Sequence, residues 1–138
     1  MRIVILVVTT SLALSCADSP SAPNGQESLL GAWELRSIQL AGEPAASVDP
    51  GLYTADFTTE GRVSARADCN QCSGSYSASG ASLDIGVLAC TRAYCGDESL
   101  FDEYTAGLDG ATSFEHSGAD ADLVIRYAGG TLRFFPKP

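Results

Sequence analysis

The chain has 138 residues and a formal net charge of −9, from eight basic and 17 acidic side chains. This length suits one domain with a modest hydrophobic core. The negative charge repels phosphate backbones and anionic lipid headgroups, which excludes nucleic acid and anionic membrane surfaces as ligands.

The first 16 residues predict export from the cytoplasm. A single arginine precedes an apolar run over residues 3–14, and Ser15 and Cys16 follow this run directly. This pattern is typical of a secretory signal peptide, and the run is shorter than the roughly 20 residues that cross a bilayer. A cysteine after a small residue is typical of bacterial lipoproteins, whose cysteine thiol receives diacylglycerol. We predict a signal peptide over residues 1–15 and lipidation of Cys16; the alternative is cleavage near Ser15 or Ala17 without lipid.

The segment after Cys16 predicts a flexible tether. Residues 17–28 are rich in Ser, Pro, Ala and Gly and show no apolar periodicity, which is typical of a linker. We therefore expect residues 16–28 to hold a domain at residues 29–138 beside a membrane of the bacterial cell envelope. Because Ala17 rather than Asp follows the cysteine, we expect the outer membrane where the organism has one. A secreted or periplasmic protein is the alternative.

Alternation of apolar and polar residues predicts about eight short β-strands. The stripes, in chain order, are Trp33–Leu35, Tyr53–Phe57, Val63–Cys69, Cys72–Tyr76, Leu83–Ile85, Thr112–His116, Leu123–Tyr127 and Leu132–Phe134. The alternation changes phase at Ile38, where we expect a bulge or a bend, and at Asn70-Gln71, where we expect a bulge. The stripes are joined by connections of hairpin length, which predict antiparallel pairing.

One segment repeats with the period of a helix. Leu100, Tyr104 and Leu108 recur every four residues. The acidic pair Asp97-Glu98 suits a helix N-terminus, and Asp109-Gly110 suits its end. We therefore predict a helix of about three turns between these pairs. The predicted fold class is mainly β: a compact antiparallel sheet or small barrel of about eight short strands with one packed α-helix.

The cysteines indicate a disulfide framework. If Cys16 carries lipid, an even number remains, namely Cys69, Cys72, Cys90 and Cys95. An exported domain lies in an oxidising compartment, which favours two disulfides in one of three connectivities. The spacing C-x2-C-x17-C-x4-C also resembles a zinc ribbon, so a four-thiolate zinc site is the alternative. Thioredoxin-like chemistry at the first pair is disfavoured, because that motif opens a helix and this segment has the pattern of a strand.

Several motifs resemble the META domain of the HslJ heat-shock lipoprotein type. They are Trp33-x-Leu35, Phe57…Gly61-x-Val63, Cys69-Asn70-x-x-Ser73-Gly74-x-Tyr76, Leu83-x-Ile85, Thr91-x-x-x-Cys95, the helical segment and Leu132-x-Phe134. The chain departs from the family pattern at Asp68, where a glycine is common. The resemblance implies a compact, mostly antiparallel β domain with one helix. The family is associated with stress and the envelope rather than with a defined reaction.

The resemblance also implies a pairing for the cysteines. Cys69 and Cys95 stand at the usual family pair. Cys72 replaces a large apolar residue and Cys90 is a second departure from the pattern. Because these two departures occur together, the resemblance implies an additional bridge between Cys72 and Cys90.

The sequence contains no recognisable catalytic motif. His116 is the one histidine and Lys137 the one lysine, and no nucleophile elbow, zinc-protease motif or phosphate loop is present. His116 and Glu115 are neighbours on a predicted strand, so their side chains point to opposite faces. Glu115 therefore cannot orient His116 as a catalytic base. We expect a half-exposed strand histidine and no enzyme activity.

Other polar residues also have structural explanations. Asp109, Asp120 and Asp122 lack the spacing of an EF-hand, and an Asp-x-Asp pair before a strand is typical of a solvated turn, so we expect no metal and no cofactor. Asn70 suits the unusual φ of the expected bulge, and Ser73 lies in a strand pattern.

Two classes of function remain. The first is a monomeric, non-catalytic envelope lipoprotein, attached to the membrane by its lipid, that binds an envelope protein or supports the envelope under stress. The alternative is a small-molecule binder or carrier that uses the barrel interior. Inward-facing Trp33, Phe57, Tyr76 and Phe114 are expected to fill that interior. A cavity of several hundred Å³ would favour the carrier.

Overall fold

The chain folds into antiparallel β-strands with two helices. A computed structural model describes residues 25–117 and 121–138. The strands are β1 Gly31–Leu40, β2 Ala46–Ser47, β3 Tyr53–Phe57, β4 Arg62–Ala67, β5 Asn70–Ser79, β6 Ser82–Ile85, β7 Ala89–Cys90, β8 Ala111–Ser117, β9 Asp122–Tyr127 and β10 Gly130–Pro136, and the helices are α1 Gly25–Leu29 and α2 Phe101–Asp109. Neither described helix is long and apolar enough to cross a membrane. Cys16 and the expected signal peptide lie outside the described residues, so both stay predictions.

Eight of the strands close into a barrel. Its order is β1-β3-β4-β5-β6-β8-β9-β10, and β10 pairs with β1 to complete the ring. Every pairing is antiparallel, and the short strands β2 and β7 add to β1 and β5 respectively. The fold-class prediction is therefore confirmed. The β1–β10 register shifts between Leu35 and Ser37, which confirms the bulge expected before Ile38.

The phase change at Asn70-Gln71 is a turn and not the expected bulge. Ala67 pairs directly with Asn70, and Asp68 and Cys69 connect β4 to β5. Asp68 has a φ of 59°, the left-handed conformation that glycine adopts easily. Cys69 is consequently exposed in the turn and does not continue the inward stripe. The sequence pattern was ambiguous because a bulge and a two-residue turn both change the phase of alternation.

The helix begins later than its acidic start signal predicted. Asp97 and Glu98 lie in the preceding loop, and α2 runs from Phe101 to Asp109. The Leu100 N–H donates to the Tyr53 hydroxyl at 2.8 Å, a contact across 47 residues. This tertiary hydrogen bond fixes the chain just before the helix, which local propensity cannot predict.

The structure also orders the end of the expected tether. The expected tether includes residues 25–28, but these residues belong to helix α1. Leu29 is fully buried, and its carbonyl oxygen accepts a hydrogen bond from Trp33 Nε1 at 2.9 Å. Helix α1 therefore lies partly within the segment that the sequence predicts to be the tether.

The two helices pack at opposite ends of the barrel. Near α1, the Gln26 amide donates to the Thr59 carbonyl oxygen in the β3–β4 turn, and Gly25 packs closely on Gly80 in the β5–β6 turn. At the other end, α2 lies across the opening and contacts β4, β6, β9 and β10. Gly107 permits this approach because a Cβ there would press on the Leu132 side chain.

The barrel interior is filled by side chains. The largest fully buried ones are Tyr104, Phe57, Phe134, Leu29, Leu35, Leu108, Leu123, Ile125 and Leu132. Tyr104 projects from α2 into this core, where its ring lies 5.3 Å from that of Tyr53 and 6.2 Å from that of Phe134. Its hydroxyl donates to the Thr54 carbonyl oxygen at 2.7 Å, so the buried phenol has a hydrogen-bond partner.

Replacing Tyr104 tests how the helix seals the barrel. We expect Tyr104→Phe to lower the free energy of unfolding by about 1–2 kcal/mol, because the Thr54 carbonyl loses its donor. We expect Tyr104→Ala to lower it by about 3–5 kcal/mol, because a cavity forms as well. Urea unfolding followed by circular dichroism measures both.

The effect of Tyr104→Phe on the free energy of unfolding should depend on pH. Burial raises the pKa of Tyr104 well above its usual value. The stability contributed by the protonated tyrosine is present below the unfolded pKa of about 10 and is lost as the pH rises through the folded pKa. The stability difference between wild type and Tyr104→Phe should therefore shrink between pH 9 and pH 11. A difference that stays constant over this range would contradict burial of the phenol.

Candidate functional site

A buried asparagine organises the most specific motif of the sequence. Asn70 is 2% exposed at the start of β5. Its Oδ1 accepts hydrogen bonds from the Ala93 N–H at 2.7 Å and the Thr91 hydroxyl at 3.0 Å. Its Nδ2 donates to the Ala93 carbonyl oxygen at 3.0 Å and to Cys95 Sγ at 3.3 Å. Both donors and both acceptor positions of the amide are used.

Thr91 completes this network. Its hydroxyl accepts a hydrogen bond from the Gln71 N–H at 3.0 Å, and its own N–H donates to the Gln71 carbonyl oxygen at 2.9 Å. The backbone explanation for Asn70 was wrong, because positive φ occurs at Asp68 and not at Asn70. The motif instead ties a distant loop to β5. The local sequence pattern could not predict this role, because the side-chain contacts join residues that lie 20 or more positions apart.

Two disulfides reinforce the same loop. The structure joins Cys69 to Cys95 and Cys72 to Cys90, the connectivity that the family resemblance implied. Cys72 and Cys90 are direct partners in the β5–β7 pairing. The zinc alternative is excluded in this structure, because a four-thiolate site requires free sulfurs and all four are in bridges.

The cystine loop, which we define as residues 90–100, is mostly exposed to solvent. Tyr94 is 80% exposed, and its hydroxyl hydrogen-bonds the Asp97 carboxylate. That hydrogen bond raises the pKa of Tyr94. The Arg92 guanidinium lies 5.9 Å from the centre of the Phe101 ring. The loop therefore presents an aromatic and a cationic side chain on a cross-linked backbone.

Open clefts flank the cystine loop. One has a volume of about 550 Å³ and is lined by Asp49, Leu52, Asp68, Asp97 and Glu98 among others. The other has a volume of about 300 Å³ and includes Arg92, Tyr94, Phe101 and Asp102. Both are open to solvent, and each also borders a buried residue, Tyr53 in the larger cleft and Asn70 in the smaller one. Cys95, Gly96, Asp97 and Ser99 line both clefts.

The cystine loop and α1 lie at opposite ends of the molecule. The loop is attached to the first residues of β5, whereas α1 packs near the turn that follows the last residue of β5. Ten strand residues separate these ends by about 30 Å. Gly25, the first described residue, therefore lies far from the cystine loop.

His116 lies on β8 at the α1 end. It is exposed, and its ring lies 5.6 Å from the ring of Trp33. Its ring nitrogens lie 2.9 Å from the Ser28 carbonyl oxygen and 3.3 Å from the Ala121 carbonyl oxygen. The neighbouring Glu115 pairs with Arg126 and not with the imidazole. These contacts give His116 a structural role between α1 and the barrel.

The candidate calcium residues do not converge. Asp109 at the end of α2 accepts a hydrogen bond from the Leu88 N–H at 3.0 Å. Asp122 on β9 is buried and pairs with Arg133 at 3.1 Å and Arg36 at 3.8 Å. Asp120 lies outside the described residues. Among described residues, the one metal-ligand cluster contains Asp68 and the sulfurs of Cys69 and Cys95, which are bonded to each other.

Comparison with known proteins gives a family and a fold. The sequence model of the META domain family matches residues 27–138. A protein from Burkholderia xenovorans, solved by NMR, superimposes with a TM-score of 0.70 at 22% identity, over 95% of this chain and 99% of that chain. No curated protein matches the sequence.

Two further solved structures share the architecture. A lipocalin-like protein from Bacteroides uniformis ATCC 8492 superimposes with a TM-score of 0.55 at 24% identity, over 80% of this chain and 99% of that chain. A DUF4847 family protein from Bacteroides vulgatus ATCC 8482 has a TM-score of 0.53 at 12% identity, over 78% of this chain and 92% of that chain. At these identities the likeness concerns the fold alone.

The Asn70 network predicts a specific mutational effect. We expect Asn70→Ala to lower the free energy of unfolding by about 2 kcal/mol, because its loop partners lose their hydrogen bonds. Hydrogen exchange at the Ala93 amide should accelerate more than exchange in the barrel strands. The exposed neighbour provides the control: Gln71→Ala should change stability by less than about 0.5 kcal/mol. Equal effects of the two variants would refute the role assigned to Asn70.

The two disulfides predict a graded response to their removal. Chain entropy gives roughly 3 to 4 kcal/mol for each bridge alone, and less than the sum for both because the loops are nested. This is a large part of the roughly 5–15 kcal/mol available to a small domain. Serine replacement of one pair should leave a weakened fold, and replacement of both pairs should nearly unfold it. Thermal unfolding with reductant or with a metal chelator provides the check: reductant should destabilise the protein and the chelator should have no effect.

Proposed function

The chain belongs to the META domain family, and we propose that it is a non-catalytic lipoprotein of the bacterial cell envelope that binds a partner protein through its cystine loop. In this proposal the lipid on Cys16 attaches the protein to the membrane, the outer membrane where one exists. The domain acts as a monomer, without a cofactor, and supports the envelope under stress.

The placement of the cystine loop is the observation that carries the proposal. Tyrosine and arginine are enriched at protein interfaces, and the loop exposes Tyr94 and Arg92. Bridges and the Asn70 network hold the loop backbone, which reduces the entropy lost when a partner binds. A lipid at the N-terminal end would leave this surface directed away from the membrane.

The carrier alternative has less support. An eight-stranded barrel is wide enough for one small ligand, but here inward side chains and Tyr104 from α2 occupy the interior. The larger clefts, of about 550 and 460 Å³, are open to solvent, and so is the smaller cleft beside Arg92. Likeness to a lipocalin-like structure concerns the barrel and not its contents.

The proposed absence of catalysis rests on the surroundings of His116. General-base catalysis requires an imidazole beside a nucleophile and an orienting group. The described contacts of His116 are instead two backbone carbonyl oxygens and two aromatic rings. The formal charge of −10 that follows removal of residues 1–15 also opposes nucleic acid as a partner.

Lipid attachment has a direct test. Metabolic labelling with palmitate should mark the wild-type protein and not Cys16→Ala, because the thiol is the expected acceptor. The variant should also leave the membrane fraction. An unlabelled wild-type protein whose mature mass begins at another residue would show a secreted or periplasmic form instead.

Partner binding through the cystine loop can be tested in cells. A photo-crosslinking amino acid at Tyr94 of the full-length chain should capture a defined protein, and the same group at Thr59, an exposed position at the α1 end, should not. Tyr94→Ala should weaken capture from a neighbouring loop position, and His116→Gln should not. Equal capture from Tyr94 and Thr59 would refute the assigned surface, and a phenotype lost only in His116→Gln would favour catalysis.

A further inference from the structure

The two disulfides differ in their access to solvent. Cys72 is 4% exposed and is covered by the paired strands β5 and β7. Cys69 is exposed in the β4–β5 turn, and Cys95 borders both clefts beside the cystine loop. A thiol in solution can therefore approach the Cys69–Cys95 bridge at its exposed Cys69 sulfur, whereas the Cys72–Cys90 bridge has one buried and one partly buried cysteine.

The two sulfurs of the accessible bridge also differ from each other. Cys95 Sγ accepts hydrogen bonds from the Cys69 N–H and from Asn70 Nδ2, each at 3.3 Å. The described donors thus converge on Cys95. Hydrogen bonds to a sulfur stabilise its thiolate, and a stabilised thiolate is the better leaving group in thiol–disulfide exchange.

We propose that the Cys69–Cys95 bridge is a polarised site of thiol–disulfide exchange, at which a reducing dithiol attacks Cys69 and Cys95 departs. The attacking thiolate forms a new S–S bond with Cys69 Sγ. The electron pair of the Cys69–Cys95 bond moves to Cys95 Sγ, which becomes the thiolate. The second thiol of the reductant then attacks its own sulfur in the mixed disulfide, which releases Cys69 and leaves the reductant as a disulfide.

One charged group opposes this reaction. A carboxylate oxygen of Asp68 and the two sulfurs all lie within 4.8 Å of one another. Its negative charge repels an approaching thiolate and limits the rate. Asp68→Asn removes the charge, and asparagine also tolerates the left-handed φ of 59° at this position.

The reaction would change the exposed surface without opening the barrel. Reduction removes one covalent tie of the cystine loop, while the Cys72–Cys90 bridge keeps β7 paired with β5. The mobility of residues 91–99 would then depend on the redox state of the compartment. This inference concerns the bridge itself and does not depend on whether the cystine loop binds a partner.

The test treats the purified full-length protein with reduced glutathione, blocks free thiols rapidly with N-ethylmaleimide, and maps the adducts by peptide mass spectrometry. We expect glutathione on Cys69, maleimide on Cys95, and at least a tenfold slower opening of the Cys72–Cys90 bridge. Glutathione mainly on Cys95, equal labelling of both sulfurs, or opening of both bridges at one rate would overturn the proposal.

Charge variants provide the matched control. Asp68→Asn should accelerate exchange at Cys69 by about threefold or more at low salt, and 1 M salt should reduce this acceleration. Asp84→Asn removes an equal charge from the exposed face of β6 and should leave the rate unchanged. An equal acceleration in both variants would mean that net charge alone controls the reaction, which would contradict the role given to Asp68.

Discussion

The antiparallel pairing of β1 with β10 turns a strip of eight strands into a closed ring with one interior and two openings. The pairing requires close approach at its far end, where Gly130 stands opposite Leu40. Gly130 has a φ of 152°, and a Cβ there would collide with the Gln39 carbonyl oxygen. Trp33 and Glu34 of β1 pair with both β3 and β10, and the bulge between Leu35 and Ser37 shifts the register of the remaining β1–β10 pairs.

The two helices cover the open ends of the barrel. A ring of eight strands has openings through which water would reach the apolar interior, and α1 and α2 pack at these openings. The α2 opening is closed from inside as well, because Tyr104 reaches the Thr54 carbonyl oxygen. Because side chains fill the barrel interior, other molecules can contact only the outer surface of the domain. The cystine loop is the part of that surface that the chain cross-links most heavily.

The sequence could predict the barrel strands but not the connections that hold the loop. A barrel has a single apolar interior, so most of the alternating apolar residues from Trp33 to Phe134 are buried as predicted, whereas Cys69, Thr112 and His116 are exposed. The turn at Asp68-Cys69 was mistaken for a bulge because both change the phase of alternation. The glycine that is common at the Asp68 position was a usable signal of positive φ there.

Long-range side-chain contacts explain the remaining differences. The start of α2 depends on Tyr53, which lies 47 residues earlier, and the role of Asn70 depends on residues more than 20 positions away. Neither contact leaves a periodic trace in the sequence. The cysteine pairing was accessible through resemblance to the family, because spacing alone allowed three connectivities and a zinc site.

Tyr53 joins the barrel core to the loop end of the molecule. Its ring packs against Tyr104, while its hydroxyl accepts from the Leu100 N–H at 2.8 Å and donates to Asp68 at 3.3 Å. Burial raises the pKa of Tyr53, so the hydroxyl keeps its proton and can make both hydrogen bonds over the physiological range. The carboxylate that faces the Cys69–Cys95 bridge is therefore held by a residue whose ring belongs to the core.

The cystine loop is consequently held by three kinds of contact, which respond differently to thiols and to pH. The Cys69–Cys95 bridge responds to thiols, whereas the Asn70 amide is neutral and does not titrate. Tyr53 holds the C-terminal end of the loop at Leu100 from within the core. Loss of the bridge alone leaves the Asn70 and Tyr53 contacts in place, so the loop would loosen between two fixed points. That arrangement allows a change in the exposed Tyr94 segment while the barrel stays closed.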